Sequence, residues 1–189
     1  MPILGIIASS ITGNLVTNSY ESIATTTVGA GGSSTITFSS IPSTYKHLQL
    51  RYLCRSNRSG SSQDFVKVQF NSDTATNYSY HSLSGDGTAA SAGDGANSDT
   101  LAQFYMAGAT TAASTFAGGV IDVLEYKNTN IYKTVRILNG MDINAGTGRI
   151  QLWSGNWRNT NAVSTITLTS LNAASFVQYS SFALYGIKG

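Results

Sequence analysis

Hydrophobic and polar residues alternate with a period of two along most of the chain. In the stretch YKHLQLRYLCR the apolar positions are Leu48, Leu50, Tyr52 and Cys54. The alternate positions on the other side of the strand include His47, Gln49, Arg51 and Arg55. Because successive side chains of a strand point to opposite faces, this pattern predicts a strand with one core face and one solvated face.

Other segments repeat the alternation. DFVKVQF directs Val66, Val68 and Phe70 inward, and VSTITLTS sets Ile166 and Leu168 against Thr165 and Thr167. Further predicted strands are YESIATTTV, STITF, NYSYHSL, TLAQFYM, GGVIDVLEY, IYKTVRIL, GRIQLWSGNW and SSFALYGI. No stretch keeps helical spacing over three turns. The pattern predicts an all-β fold, namely an antiparallel two-sheet β-sandwich that is jelly-roll-like.

Two segments depart from this rhythm. Residues 84–99, SGDGTAASAGDGANSD, are predicted to form a long surface loop, because glycine and small residues replace the alternation. The leader, residues 1–19, precedes the first charged residue, Glu21. We therefore divide the chain into an extended N-terminal arm, 1–19, and a β-sandwich domain, 20–189.

The leader fits neither an export signal nor a membrane anchor. Residues 1–10 carry no Lys or Arg, the apolar core Ile3–Ala8 is short for an export signal, and no apolar run approaches a membrane span. Its apolar side chains would be exposed on a free domain, so we expect them to bind a neighbouring protein: Ile3, Leu4, Ile6, Ile7, Ile11 and Leu15. The alternative is that the leader is simply the first edge strand.

Charge is scarce in this chain of 189 residues. Its 11 Lys and Arg against 9 Asp and Glu give a net charge of +2, and charged residues make up 11% of the sequence. A surface of Ser, Thr, Asn, Gln and Gly is poor at attracting nucleic acid or anionic membrane, so we expect neither as a partner. The single cysteine, Cys54, excludes an intramolecular disulfide.

No catalytic or metal-binding set stands out. Asp122 and Glu125 are three residues apart and would point to opposite faces of a strand. His47 and His81 would form a metal pair only if their strands were neighbours. The carboxylates of the predicted loop, Asp86, Asp94 and Asp99, lack the glutamate that closes an EF-hand site. We expect no enzymatic activity, no cofactor and no bound metal.

Two groups of side chains are candidates for binding. Trp153 and Trp157 flank Gly155 on one face of a strand, where an exposed pair would form a stacking platform for a glycan or a partner. Burial beneath a loop is the alternative. Arg51, Arg55 and Arg58 would form a charged interface with an adjacent subunit, or else a solvated basic edge.

Long stretches resemble small structural proteins encoded among the virion genes of tailed bacteriophages, especially those of aquatic bacteria and cyanophage-like phages. They are YESIATTTVGAGGSSTITFSSIPSTYKHLQLR, GVIDVLEYKNTNIYKTVRILNG, GRIQLWSGNWRNTNAVSTITLTS, SSFALYGIKG and the leader segment LGIIASSITG. The resemblance covers most of the chain, but its motifs are turns and strands, so no functional residue is carried over. It implies a virion component and leaves its position on the particle open.

These observations lead to one expectation and one alternative. We expect a structural protein on the exterior of a phage particle, assembled in the host cytoplasm. There it would serve as a capsid decoration or cement protein, form a homotrimer and bind major capsid or tail proteins. The alternative is a host-recognition module at the tail or fibre tip that binds a surface glycan. A fibre needs a shaft, and the chain shows no repeat that would build one.

Overall fold

The computed structural model describes residues 19–101, 103–143 and 148–189. These residues form twelve strands and no helix. The strands are β1 (Tyr20–Thr27), β2 (Thr35–Phe38), β3 (His47–Cys54), β4 (Gln63–Phe70), β5 (Tyr78–Gly85), β6 (Ala90–Ser98), β7 (Gln103–Ala107), β8 (Ala117–Val123), β9 (Lys133–Met141), β10 (Arg149–Trp157), β11 (Ile166–Ser170) and β12 (Ser181–Ile187). None of the described segments is a helix long and apolar enough to cross a membrane.

The strands form two antiparallel sheets. The large sheet has eight strands in the order β1-β12-β3-β8-β9-β10-β5-β6, and the small sheet has four in the order β2-β11-β4-β7. The chain passes repeatedly from one sheet to the other, as in a jelly roll, and β9 and β10 form a hairpin within the large sheet. The predicted antiparallel β-sandwich is confirmed.

The core lies between the two sheets and follows the predicted alternation. On β3 the side chains of Leu48, Leu50, Tyr52 and Cys54 are buried, as are Val66, Val68 and Phe70 on β4. Ile166 and Leu168 meet them from β11. The last strand, β12, pairs with β1 on one side and with β3 on the other. The inward faces of these strands were therefore predicted correctly.

The prediction of a long loop at residues 84–99 is wrong. Residues 90–98 form β6, which pairs with β5 across a turn at Asp86. The Asp86 carboxylate accepts hydrogen bonds from the backbone N–H groups of Thr88 (2.9 Å) and Ala89 (2.8 Å), and these bonds close the turn. This strand lies at the edge of the large sheet and is exposed along most of its length, so it contributes few side chains to the core. Small residues are therefore sufficient there.

The domain joins the leader at β1. The backbone N–H of Lys188 donates to the Ser19 carbonyl at 2.9 Å, so the β1–β12 pairing continues to the first described residue. The six leader side chains predicted to bind a partner, Ile3, Leu4, Ile6, Ile7, Ile11 and Leu15, lie outside the described residues.

Candidate functional site

Large apolar side chains cover part of the outer surface of the large sheet, on the side away from the core. We call this surface the apolar face and define it by Leu53, Leu83, Val120, Leu138, Ile150 and Leu152. The exposed fractions of the leucine and isoleucine side chains run from 44% at Leu53 to 62% at Ile150. Isolated apolar residues are common on protein surfaces, but a contiguous group is typical of an interaction site.

The strand register makes the apolar face contiguous. Leu152 on β10 lies opposite Leu83 of β5 and, on its other side, opposite Leu138 of β9. Leu138 in turn lies opposite Val120 of β8. Directly paired residues on one face are in contact range, so these four side chains form an unbroken row across four strands.

A second row beside it consists largely of glycine. Ile150 is paired with Gly85 and Gly140, and Gly140 is paired with Gly118. Shallow depressions of about 300 Å³ and about 260 Å³ lie on the two sides of Ile150. The side chains of the first row form the walls of these depressions.

Local packing does not require these glycines. A Cβ atom at Gly140 would meet no atom within 4 Å, and one at Gly118 would make only ordinary contacts, the nearest at 3.6 Å. By contrast, a Cβ at Gly119 would come within 2.6 Å of the Leu138 carbonyl oxygen, and one at Gly155 within 2.7 Å of Leu101. Glycine weakens the interior of a strand, so Gly118 and Gly140 lower strand propensity here. They also leave the backbone accessible at the bottom of the depressions, and we call this backbone surface the glycine floor.

Polar side chains border the apolar face along the next row. Gln49, Asp122 and Arg136 are paired across β3, β8 and β9. Gln49 Nε2 donates to Asp122 Oδ1 at 2.8 Å, and Arg136 Nη2 lies 3.4 Å from Asp122 Oδ2. The apolar face therefore has a hydrogen-bonded rim, the arrangement of a protein interface.

An aromatic cluster continues this rim toward β1. The rings of Tyr20 and Tyr185 stack with centroids 4.8 Å apart, and the Arg51 guanidinium lies 5.5 Å and 5.7 Å from the two centroids. Burial raises the pKa of Tyr20, while the charge of Arg51 opposes this shift. Arg51 is thus held on the outer face of the large sheet.

The structure separates the roles of the three candidate arginines, Arg51, Arg55 and Arg58. Arg55 donates to four backbone carbonyls of one loop, those of Ala109, Thr111, Ala112 and Thr115. Arg58 donates from Nη1 to the Gln63 carbonyl at 3.0 Å. Arg55 and Arg58 therefore hold loops in place, and only Arg51 lies beside the apolar face.

Trp153 and Trp157 share a face, as predicted, but that face is the core. Their exposed fractions are 5% and 1%, and Trp157 Nε1 donates to Asp73 Oδ2 at 2.8 Å. An exposed stacking platform does not exist here, because β10 directs both side chains between the sheets.

Trp153 nevertheless borders an opening between the sheets. We call this opening the side cleft, a space of about 230 Å³ where β5 and β6 extend past the small sheet. Its lining includes Phe65, Ser84, Ser91, Gln103, Tyr105 and Trp153. The Phe65 and Tyr105 rings lie 4.6 Å apart.

The titratable groups considered for metal binding lie apart. β8, β9 and β10 separate the strands of His47 and His81. Asp86 pairs with Arg149 at 2.9 Å and Asp99 with Lys67 at 3.3 Å. Within the ranges that the structure describes, no three His, Cys, Asp or Glu side chains are grouped to hold a metal.

Sequence reasoning missed the apolar face entirely. A signal for it was present in β10, where the adjacent residues Leu152 and Trp153 must point to opposite sides, so that one large apolar side chain lies outside the core.

The chain matches no protein-family model, and the searches of curated proteins and of solved structures also gave no match.

Proposed function

We propose that this chain is a structural protein that binds other proteins of a phage particle through its apolar face. The expected position is the particle exterior, where the protein acts as a capsid decoration or cement protein. The resemblance to virion structural proteins supplies the setting, and the apolar face supplies the binding surface.

The apolar face is the observation that carries this proposal. Five leucine and isoleucine side chains are at least 44% exposed there, and all of them lie on the outer face of the large sheet between β3 and β5. Each such side chain contributes about 1.5–3 kcal/mol when it is transferred fully from water to an apolar contact. These side chains are 44–62% exposed, so a partner that covers the face gains roughly half of this free energy for each of them. It gains it without having to desolvate a charge.

Attachment to particles tests the proposal. Particles assembled without the protein are mixed with purified wild type or with Leu138→Glu, and binding is measured by co-sedimentation. We expect Leu138→Glu to lose attachment because it places a charge at the centre of the face. The control is Thr37→Glu, at an exposed position on the outer side of the small sheet. Equal binding by wild type and Leu138→Glu would overturn the proposed surface.

Electron cryo-microscopy of complete particles tests the position. A decoration protein gives density over the capsid and hundreds of copies per particle. A few dozen copies or fewer, with density confined to the tail, would contradict the cement role.

The side cleft supports a second candidate, glycan recognition at the tail or fibre tip. Its serine and glutamine side chains offer hydrogen bonds, and Tyr105 and Trp153 offer aromatic surface. Titration of host polysaccharide while tryptophan fluorescence is followed tests it, with Ser84→Phe as a variant that fills the cleft without adding a tryptophan. Quenching of wild type but not of Ser84→Phe would favour this function. No quenching of either would exclude it.

A further inference from the structure

We propose that the apolar face binds residues 3–7 of the leader of a second copy of this chain. The inference rests on the proposed function, since it names the neighbour that the apolar face contacts. Copies linked in this way exchange their N-terminal arms.

The two surfaces match in chemistry. Residues 3–7 read ILGII, and residues 1–20 contain no charged side chain. The apolar face likewise presents leucine, isoleucine, valine and glycine at its centre. Association therefore removes apolar surface on both sides and buries no charge.

The glycine floor provides room for the incoming segment. The depressions beside Ile150 hold about 300 Å³ and about 260 Å³, and no Cβ fills the space above Gly140. Such depressions fit branched side chains like those of Ile3, Leu4, Ile6 and Ile7. Because the floor is formed by glycine, the backbone of the segment can also approach the sheet closely.

The position of Ser19 favours a second copy over the same copy. Pairing of β1 with β12 continues to Ser19, which is the residue to which the leader is attached. The two rows of the apolar face can be followed through the paired residues of β3 and β12 to β1. They reach β1 at Thr25 and Thr27, at the end of the strand away from Ser19. The point of attachment, Ser19, therefore lies at the end of β1 that is farther from the apolar face of the same copy.

The length of the leader is sufficient to reach a neighbour. Ser19 lies twelve positions after Ile7, and an extended chain covers about 3.3 Å per position, or about 40 Å in all. The radius of gyration of a domain of this size is about 15 Å, so the segment reaches past the body from which it starts.

A cross-linking experiment between two differently substituted chains tests the proposal. Chains with Ile6→Cys are mixed with chains with Leu138→Cys, oxidised mildly, and separated without reductant. We expect a disulfide-linked pair that contains one chain of each kind. The native thiol does not compete, because Cys54 is buried.

Two controls make the result decisive. Ile6→Cys mixed with Thr37→Cys measures random collision, because Thr37 lies on the opposite outer surface. The double variant Ile6→Cys/Leu138→Cys, oxidised at high dilution, measures linkage within one chain. Cross-linking no stronger than with Thr37→Cys, or linkage only within one chain, would overturn the proposal.

A charged leader gives an independent measurement. Ile6→Asp/Ile7→Asp should lower the mass in solution to that of one chain and increase binding of an apolar dye, with the melting temperature unchanged. An unchanged oligomer would contradict arm exchange.

The outcomes also separate this inference from the proposed function. Loss of attachment in Leu138→Glu without leader cross-linking would leave the proposed function standing and remove the inference. Leader cross-linking in a protein that is absent from particles would leave the inference standing and remove the proposed function.

Discussion

Asn139 and Gln151 lie opposite each other on β9 and β10, with both side chains directed into the interior. Asn139 Nδ2 lies 3.3 Å from Gln151 Oε1 and donates to the Tyr105 carbonyl at 2.8 Å. Gln151 Oε1 accepts a hydrogen bond from the Tyr105 N–H at 2.9 Å. The pair therefore provides hydrogen-bond partners for the backbone of Tyr105 at the edge of β7, which belongs to the other sheet. Because side chains alternate along a strand, this inward pair places Leu138, Ile150 and Leu152 outside.

The first prediction concerns this pair. Gln151→Leu should lower the free energy of unfolding by about 1–3 kcal/mol, because the Tyr105 N–H and the Asn139 amide lose a buried acceptor. Denaturant unfolding of Gln151→Leu, Asn139→Leu and the double variant measures the effect. The double variant should lose less than the sum of the single variants, since the two amides interact. Strict additivity would show that the pair does not act as a unit.

The second prediction compares two neighbours on β9. Leu138→Asn should change the free energy of unfolding by no more than about 0.5 kcal/mol, since Leu138 is 56% exposed. Ile137→Asn should cost about 3 kcal/mol or more, because Ile137 is 1% exposed and the new amide would lack partners. Thermal unfolding of the two variants at low protein concentration checks this. A large loss for Leu138→Asn would mean that the apolar face stabilises the isolated domain.

Alternation predicted the fold wherever polar and apolar residues strictly take turns. This was so on β3, where Leu48 and Leu50 point inward between His47, Gln49 and Arg51. It failed on β10, since Gln151 is buried whereas Ile150 and Leu152 are exposed. Burial of Gln151 depends on Tyr105, which is distant in sequence and belongs to the other sheet, so no local pattern reports it.

The hairpin of β5 and β6 was missed for a different reason. Its second strand is built from Ala, Gly and Ser, which have low strand propensity and show no alternation. The strand forms because of the turn at Asp86 and because the edge of β5 is free to pair with it.

The outward position of Arg51 could be predicted from the sequence. Its stacking on Tyr20 and Tyr185 could not, because β12 brings Tyr185 from the far end of the chain.

The third prediction uses two neighbouring glycines. Gly140→Val should leave stability unchanged or raise it slightly, because its Cβ meets open space and valine favours strands. It should nevertheless weaken association through the apolar face, since the side chain fills a depression. Gly119→Ala is the matched control and should destabilise the fold, because its Cβ would overlap the Tyr52 hydroxyl and the Leu138 carbonyl. Unfolding and sedimentation experiments on both variants separate these effects. Unchanged association of Gly140→Val would show that the depression is not used.

The fourth prediction concerns the turn between β5 and β6. The Thr88 hydroxyl, followed by the backbone N–H groups of Ala89 and Thr88, holds the pKa of Asp86 well below its ordinary value of 3.8, and Arg149 adds to the effect. A carboxylate with a lowered pKa stabilises the folded state above the unfolded pKa, and this stabilisation is lost as the pH falls through the folded pKa. The hairpin should therefore be protected above 3.8 and should open progressively below it.

Amide hydrogen exchange followed by mass spectrometry measures this opening. Asp86→Ala should lower the protection factors of the β6 amides at neutral pH and remove the fall in these protection factors below 3.8, while the amides of β3 stay protected. Asp94→Ala is the matched control, because Asp94 is an exposed residue within β6 and does not cap the turn. If Asp94→Ala and Asp86→Ala increased exchange equally, the turn would not be what holds β6 in place.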